Sequence, residues 1–209
     1  MDFLRWCTCE ESEKYGLNQK EIILVGESAG GNLAAVASSL IRDKLDAHLS
    51  PTNDWDGVKV LHQVILYGCF FVTPLMPSMQ HLIDETRHYY FLSKPVVEFF
   101  FNAYIPVFDR EILMADRRVA PFLAGLEDLP STTIFCGSDD PLYDENVLYA
   151  SSLMNCSLHQ FEGTIHGFMT FDNLPEAGDG FNLLANDLEF LLIHQGVFKS
   201  NSSRHHPRS

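Results

Sequence analysis

The sequence predicts an α/β fold with a mainly parallel sheet flanked by helices. Short apolar runs typical of buried strands alternate with longer segments of helical periodicity. A Gly-x-Ser-x-Gly pattern at residues 26–30 stands between one such strand and one such helix. Loops after parallel strands meet at one edge of a sheet, so we expect the functional side chains to lie there.

The size and composition of the chain fit one folded domain. Its 209 residues are 46% hydrophobic, which is enough for a substantial core. A formal net charge of −14 would repel nucleic acid and anionic membrane surfaces. No stretch approaches the roughly 18 apolar residues of a membrane span. We therefore expect a cytoplasmic protein with no nucleic-acid partner and no stable membrane span. The sequence leaves its oligomeric state open.

The five cysteines are odd in number and irregularly spaced, which favours reduced and mostly buried thiols. The pair Cys7-x-Cys9 could instead serve redox chemistry or bind a metal, although one isolated pair in a terminal helix is more often incidental. No Cys/His grouping has the spacing of a zinc site. The sequence therefore predicts no metal site.

The first half of the chain contains two predicted strands joined by a helix. Residues 3–15 indicate the end of a helix that breaks at Gly16. The apolar run 22–25 predicts a strand, and a helix follows it. The apolar stripe of that helix consists of Leu33, Val36, Ala37, Leu40 and Ile41. After a loop at 46–57, the aliphatic segment 58–67 is typical of a buried parallel strand.

Residues 74–118 depart from this alternation. Prolines at 74 and 77 break the chain, and aromatic runs follow at 89–91 and 99–104. Most of these rings could belong to an ordinary core. An aromatic insertion of this size between two strands could also form part of a lid over an apolar pocket. We predict a helical, lid-like insertion, with the core role as the alternative.

The second half of the chain resumes the alternation of strands and helices. The predicted elements are a strand at 131–137, a helix at 144–154, a strand at 157–161 and a helix at 181–192. We expect the last helix to cap the sheet. Residues 1–198 are predicted to form one domain, and residues 199–209 a disordered tail, because the tail has nothing to bury in a core.

The stretch Gly26-Glu-Ser28-Ala-Gly30 predicts a nucleophile elbow. This tight turn holds a serine in a strained conformation with its hydroxyl exposed above the sheet. Glycines at 26, 30 and 31 are expected to let neighbouring backbone pass close by. A plain glycine-rich turn is the alternative, but the strand before it and the helix after it favour the elbow.

Asp140 and His166 follow later strands and can complete a catalytic site with Ser28. A serine becomes a nucleophile when a histidine accepts its proton, and a carboxylate must hold that histidine in one tautomer. Asp144 and Glu145, in the same acidic cluster, are typical of a helix start, where they cap and balance the dipole. Most other histidines, including His62, are expected to be surface or hydrogen-bonded core residues.

Three blocks of sequence surround these residues. They are Gly-Glu-Ser-Ala-Gly-Gly-Asn-Leu-Ala from position 26, Asp-Pro-Leu-Tyr-Asp-Glu from 140 and His-Gly-Phe from 166. The blocks resemble the signatures of the hormone-sensitive lipase family of α/β-hydrolases, which includes bacterial carboxylesterases and arylacetamide deacetylase. The resemblance implies Ser28 as nucleophile, Asp140 rather than Asp139 as acid and His166 as base. It also implies small apolar ester substrates with short or medium acyl groups or aryl groups, cleaved without metal or cofactor.

A fourth block of that family has no match in this sequence. Family members carry His-Gly-Gly-Gly well before the elbow, and its backbone N–H groups supply most of the oxyanion hole. Here the N–H of Ala29 provides one donor. We expect the chain to be the C-terminal portion of an α/β-hydrolase fold, without the first strands. A catalytically impaired fragment and a non-catalytic small-ligand-binding protein on the same scaffold are the alternatives to an active esterase.

Overall fold

The computed structural model describes residues 1–70, 76–81, 91–105 and 114–194. In these ranges the α-helices are α1 (Asp2–Thr8), α2 (Ala29–Arg42), α3 (Pro77–His81), α4 (Lys94–Tyr104), α5 (Tyr143–Ser152) and α6 (Pro175–His194). The strands are β1 (Glu21–Glu27), β2 (Lys59–Leu66), β3 (Ser131–Gly137) and β4 (Cys156–Phe161). Short 3-10 helices span Glu10–Tyr15, Pro121–Ala124 and Phe168–Thr170. No helix in the described ranges has both the length and the apolar character that crossing a membrane requires.

The chain divides into two compact units, Met1–Phe168 and Met169–Ser209. The first unit contains the sheet, and the second contains α6. The predicted insertion at 74–118 is described only in part, through α3, α4 and the residues from 114 onward. The tail predicted at 199–209 lies outside the described residues. The lid role of the insertion and the capping role of the last helix stay predictions.

The described strands form one parallel sheet in the order β1-β2-β3-β4. Its central strands are almost entirely buried: every residue of β2 after Lys59 and every residue of β3 after Ser131. β1 and β4, at the edges of this described sheet, carry exposed residues. The parallel order confirms the predicted fold class and brings the carboxyl ends of all four strands to one edge.

Helices α2 and α5 are joined by a shared core over the sheet. α2 contacts β1 and β2, while α5 contacts β3 and β4. The buried side chains that link both helices to the central strands are Ala35, Ile65, Phe70, Ile134, Tyr149 and Ala150. The rings of Phe70 and Tyr149 stack at a centroid distance of 4.0 Å. This packing holds both helices against the central strands.

Polar side chains buried on β2 and β3 are hydrogen-bonded to one another. The Nε2 of Gln63 donates to Thr132 Oγ1 at 2.8 Å. The ring of His62 lies 2.7 Å from Ser131 Oγ at Nδ1 and 3.0 Å from Thr133 Oγ1 at Nε2. Because burial of a polar group is costly unless it has a partner, these contacts explain how a histidine is accommodated in a central strand. His62 is a hydrogen-bonded core residue, as predicted.

Two helices differ from their predicted bounds by more than two residues. The helix predicted over 3–15 is interrupted at Cys9, whose extended backbone (φ −90°, ψ 162°) separates α1 from the 3-10 helix Glu10–Tyr15, which Gly16 follows. The helix predicted over 181–192 begins earlier, at Pro175. Proline suits the first turn of a helix, where no N–H donor is needed, whereas Gly178 and Gly180 weaken the helical pattern.

All five cysteines lie in the described ranges and are free thiols. Cys136 on β3 is buried, whereas the other four are partly exposed, so the expectation of mostly buried thiols is wrong. Burial, with a smaller effect from the charge of Asp140, raises the pKa of the Cys136 thiol to about 12. This thiol therefore stays protonated and unreactive at neutral pH.

Asn146 on α5 links the helix to the loop after β2. Its side chain is fully buried, its Nδ2 donates to Gly68 O at 2.8 Å and to Leu142 O at 2.7 Å, and its Oδ1 accepts from Gly68 N–H at 2.9 Å. A Cβ at Gly68 would lie 2.5 Å from Ile65 Cγ2. Because Gly68 has no side chain, the loop after β2 can pack closely against Ile65. The Asn146 amide holds the loop there.

We expect Asn146→Ala to lower the free energy of unfolding by about 2–4 kcal/mol, because the N–H and C=O of Gly68 lose their buried partners. Equilibrium unfolding in urea measures this change. Asn173→Ala removes the same side chain at an exposed position and should change stability by less than about 0.5 kcal/mol. Equal stability of the two variants would contradict the role given to Asn146.

Candidate active site

Ser28 lies at the turn between β1 and α2 in a strained backbone conformation. Its φ of 51° and ψ of −117° are rare for a residue with a side chain. The N–H of Ser28 donates to Leu66 O at the end of β2 at 2.8 Å, and its carbonyl accepts from Gly31 N–H at 3.0 Å. The sheet and the helix thus hold the turn from both sides. This is the strand, tight turn and helix that the sequence predicts.

Two of the three elbow glycines lie where neighbouring atoms come too close to leave room for a side chain. A Cβ at Gly26 would lie 2.1 Å from Gly30 O. A Cβ at Gly31 would lie 2.9 Å from Ile65 Cγ2 and 3.0 Å from Gly68 Cα. A Cβ at Gly30 would meet no atom within 4 Å. The prediction is therefore confirmed for Gly26 and Gly31 and wrong for Gly30, which contributes its carbonyl to the close contact rather than a missing side chain.

His166 lies between Ser28 and Asp140. Its Nε2 is 2.8 Å from Ser28 Oγ, and its Nδ1 is 2.8 Å from Asp140 Oδ2. The other carboxylate oxygen, Oδ1, accepts the N–H of Leu142 at 2.8 Å. Both oxygens of Asp140 therefore have partners, which fixes the plane of the carboxylate. The structure brings together the three side chains that the sequence singles out.

The three side chains differ in their access to solvent. Asp140 is 1% exposed and His166 is 4% exposed, whereas Ser28 is half-buried. Exclusion of water strengthens the hydrogen bond between the acid and the imidazole, because the local dielectric is low. Such an arrangement can take a proton from the serine hydroxyl and stabilise the imidazolium that results.

Contacts between two loops bring Asp140 to His166. The N–H of Asp139 donates to Thr164 O at 3.0 Å, and that of Asp140 donates to Gly137 O at 3.2 Å. A Cβ at Gly137 would lie 2.3 Å from Thr164 O. The glycine that ends β3 therefore lets the loop before His166 pass directly against the loop that carries the acid.

Asp144 lies in the first turn of α5, as predicted, and its carboxylate bonds to another segment rather than capping its own helix. Its carboxylate Oδ2 accepts the N–H of Ser78 on α3 at 2.6 Å, and Ser78 Oγ accepts the N–H of Asp144 at 3.2 Å. Ser78 Oγ also donates to Pro141 O at 2.8 Å. The described part of the insertion is thereby tied to the residues that follow Asp140. Glu145, the second predicted capping residue, is buried.

Tyr67 and Glu27 contact this site and were not singled out from the sequence. The Tyr67 ring lies 5.1 Å from the His166 imidazole at an interplanar angle of 67°. Its hydroxyl donates to Glu27 Oε2 at 3.1 Å. The available sequence signal was position: Glu27 immediately precedes Ser28, and Tyr67 immediately follows β2. Glu27 fills the variable position of the Gly-x-Ser-x-Gly pattern, and Tyr67 lies outside the three sequence blocks.

Ala29, the predicted oxyanion donor, is the first residue of α2. N–H groups in the first turn of a helix lack intrahelical acceptors, and the helix dipole favours negative charge there. Its backbone N–H is therefore in a position suited to an anionic oxygen next to Ser28. Among the described residues, no group of three or more His, Cys, Asp or Glu side chains is arranged to hold a metal ion.

Comparison with known proteins identifies relatives of this chain. The profile of a family described as alpha/beta hydrolase fold matches residues 1–170. Carboxylesterase NlhH of Mycobacterium tuberculosis is 28% identical over 173 residues, which are 80% of this chain and 49% of that protein. The carboxylic ester hydrolase LipN of the same species is 31% identical over 188 residues, which are 88% of this chain and 46% of that protein.

Solved structures give the same relationship. The esterase of the archaeon Pyrobaculum calidifontis superposes with a TM-score of 0.76 at 26% identity, over 92% of this chain and 59% of that one. The chain spans about half the length of the curated relatives that it matches. The similarity therefore concerns about half of each of those proteins.

We expect Gly26→Ala to destabilise the protein by about 3 kcal/mol or more, because its Cβ would collide with backbone that cannot move aside. Gly30→Ala is the matched control. It adds the same methyl group within a helix where space is open, so it should leave stability unchanged or raise it by about 0.5–1 kcal/mol. Urea unfolding of both variants measures the difference. Equal stabilities would contradict the packing described for the elbow.

Proposed function

The chain belongs to this alpha/beta hydrolase family, and from that membership we propose that it is a serine hydrolase that cleaves carboxylic esters. The observation that carries the proposal is the continuous hydrogen bonding from Ser28 through His166 to Asp140. The names of NlhH and LipN, a carboxylesterase and a carboxylic ester hydrolase, support the same reaction class. The residue roles follow from the chemistry that such an arrangement permits.

In the proposed mechanism, Ser28 Oγ attacks the carbonyl carbon of the ester while His166 Nε2 takes the hydroxyl proton. The tetrahedral intermediate collapses, and His166 gives that proton to the departing alcohol, which leaves an acyl group on Ser28. Water then attacks the acyl carbon while His166 takes its proton; when this second intermediate collapses, the bond to Ser28 Oγ breaks, His166 returns the proton to Oγ and the carboxylic acid is released. Asp140 keeps the proton on Nδ1 and stabilises the imidazolium in both halves of the reaction.

The N–H of Ala29 is proposed as one donor to the oxyanion of the tetrahedral intermediate. An oxyanion donor of this kind typically contributes about 10²–10³ in rate. The sequence contains no His-Gly-Gly-Gly block from which further donors would be taken by resemblance.

We propose small apolar esters, with short or medium acyl groups or aryl groups, as the substrate class. The net charge of −14 disfavours anionic substrates. Exposed aromatic side chains on α4, including Phe100 and Tyr104, offer apolar contact area. This apolar surface supports a role for α4 in contacting the substrate.

Ser28→Ala and His166→Ala are each expected to lower kcat for p-nitrophenyl acetate by about 10⁴-fold or more, because each removes an essential partner in proton transfer. Ser151→Ala, at an exposed position on α5, is the control and should retain the parental rate. Parental turnover in either of the first two variants would contradict the assignment of nucleophile and base. One-to-one binding of a small ester without turnover would support the non-catalytic alternative.

Two adjacent carboxylates allow a test of the acid. Asp140→Asn should lower kcat by about 10⁴-fold, because the amide can no longer hold His166 in the tautomer that accepts the serine proton. Asp139→Asn makes the same chemical change one residue away and should keep a rate close to that of the parent. Hydrolysis of p-nitrophenyl acetate by both purified variants decides between them, and a larger loss in Asp139→Asn would overturn the choice of Asp140.

A further inference from the structure

We propose that Tyr67 is a positioning residue for His166, and that Glu27 holds Tyr67 in the orientation this requires. The proposal rests on the proposed function, because it assumes that His166 is the base. Neither residue is the nucleophile, the acid or the base that the three sequence blocks suggest. Glu27 ends β1, the strand before Ser28. Its hydrogen bond to Tyr67 connects that strand to His166 through the buried ring of Tyr67.

The two hydrogen bonds of His166 leave one motion of its ring weakly restrained. The hydrogen bonds from Nδ1 to Asp140 and from Nε2 to Ser28 fix the direction of the line between the two nitrogens. Rotation of the ring about that line is restrained by the Cβ–Cγ bond of the side chain and by packing. The Tyr67 ring, at 5.1 Å and 67°, makes the edge-to-face contact that aromatic rings prefer. It therefore blocks this rotation.

Tyr67 is held firmly enough to block this rotation. It is 1% exposed, and its ring also contacts Phe168 at 5.9 Å in an edge-on arrangement. Its N–H donates to Phe135 O at 2.7 Å. Its backbone has φ 41°, a left-handed conformation that a bulky side chain adopts at a cost. The ring contact with Phe168 and the hydrogen bond to Phe135 O maintain this strained placement beside His166.

Glu27 fixes the far end of the Tyr67 ring. The phenol donates to Glu27 Oε2 at 3.1 Å, and Glu27 is the residue directly before Ser28. Burial, then the charge of Glu27 and its hydrogen bond, raise the pKa of Tyr67, so its hydroxyl remains a protonated donor throughout the neutral range. A phenylalanine would fill the same space in the core, and only the tyrosine hydroxyl makes this connection to the elbow.

The test compares Tyr67→Leu, Tyr67→Phe and Glu27→Gln with a control at another fully buried tyrosine, Tyr149→Leu. Tyr149 packs on Phe70 in the core. Two quantities are measured for each protein: kcat and KM for p-nitrophenyl acetate, and the downfield proton NMR resonance of the His166 Nδ1–H that bonds to Asp140. The resonance reports the imidazole directly and does not depend on turnover.

We expect Tyr67→Leu to lower kcat by about 10–100-fold with little change in KM, because the base is misplaced, and to shift or broaden the Nδ1–H resonance. Tyr67→Phe and Glu27→Gln should each cause a smaller loss. Their double variant should lose no more than the worse single variant, because both substitutions act on one shared contact. Tyr149→Leu should lower Tm while leaving the resonance and the kcat of the folded protein unchanged.

An unchanged resonance in Tyr67→Leu would overturn the proposal, whether or not kcat falls. A change in the resonance that Tyr149→Leu reproduces would also overturn it, since the effect would then follow from general loss of core packing. If the parent protein hydrolyses no ester, the proposed function fails. Comparison of the His166 Nδ1–H resonance in Tyr67→Leu with that in Tyr149→Leu then still decides the role of Tyr67.

Discussion

The strained backbone of Ser28 is the constraint on which the rest of this site depends. A φ of 51° with a ψ of −117° costs on the order of 1–3 kcal/mol and persists only where its surroundings enforce it. Here the carbonyl of Leu66 binds its N–H, and Gly26 lets the carbonyl of Gly30 approach. The strain sets the hydroxyl 2.8 Å from His166 Nε2, where the proton can be transferred.

The parallel sheet supplies the second requirement, which is to bring distant residues to the same edge. Asp140 follows β3 and His166 follows β4, so the strand order alone places their loops side by side. Local contacts then refine the distance: Gly137 admits the carbonyl of Thr164, and Asn146 holds the loop after β2 against α5. Core packing and hydrogen bonding thus place the buried side chains of Asp140 and His166 beside the half-buried Ser28.

Most of the fold could be predicted because its signals are local, and local patterns also single out the three side chains that the structure brings together. Short runs of β-branched residues mark the strands, and Ser28, Asp140 and His166 each lie in a short block of sequence that suggests their chemistry. The contacts of Tyr67 with His166 and Glu27 join residues that are far apart in the sequence, so no periodicity reveals them. The interruption at Cys9 and the free space around Gly30 likewise depend on tertiary packing, which composition does not encode.

Ser28 is proposed to be an activated nucleophile. Treatment of the folded 209-residue chain with a fluorophosphonate probe, followed by mass spectrometry of its peptides, tests this claim most directly, because the probe reacts with a serine whose proton a neighbouring base can take. We expect one modified residue, Ser28, and no modification in a His166→Ala variant. A folded chain that stays unmodified, or that is modified at a different residue, would contradict the account.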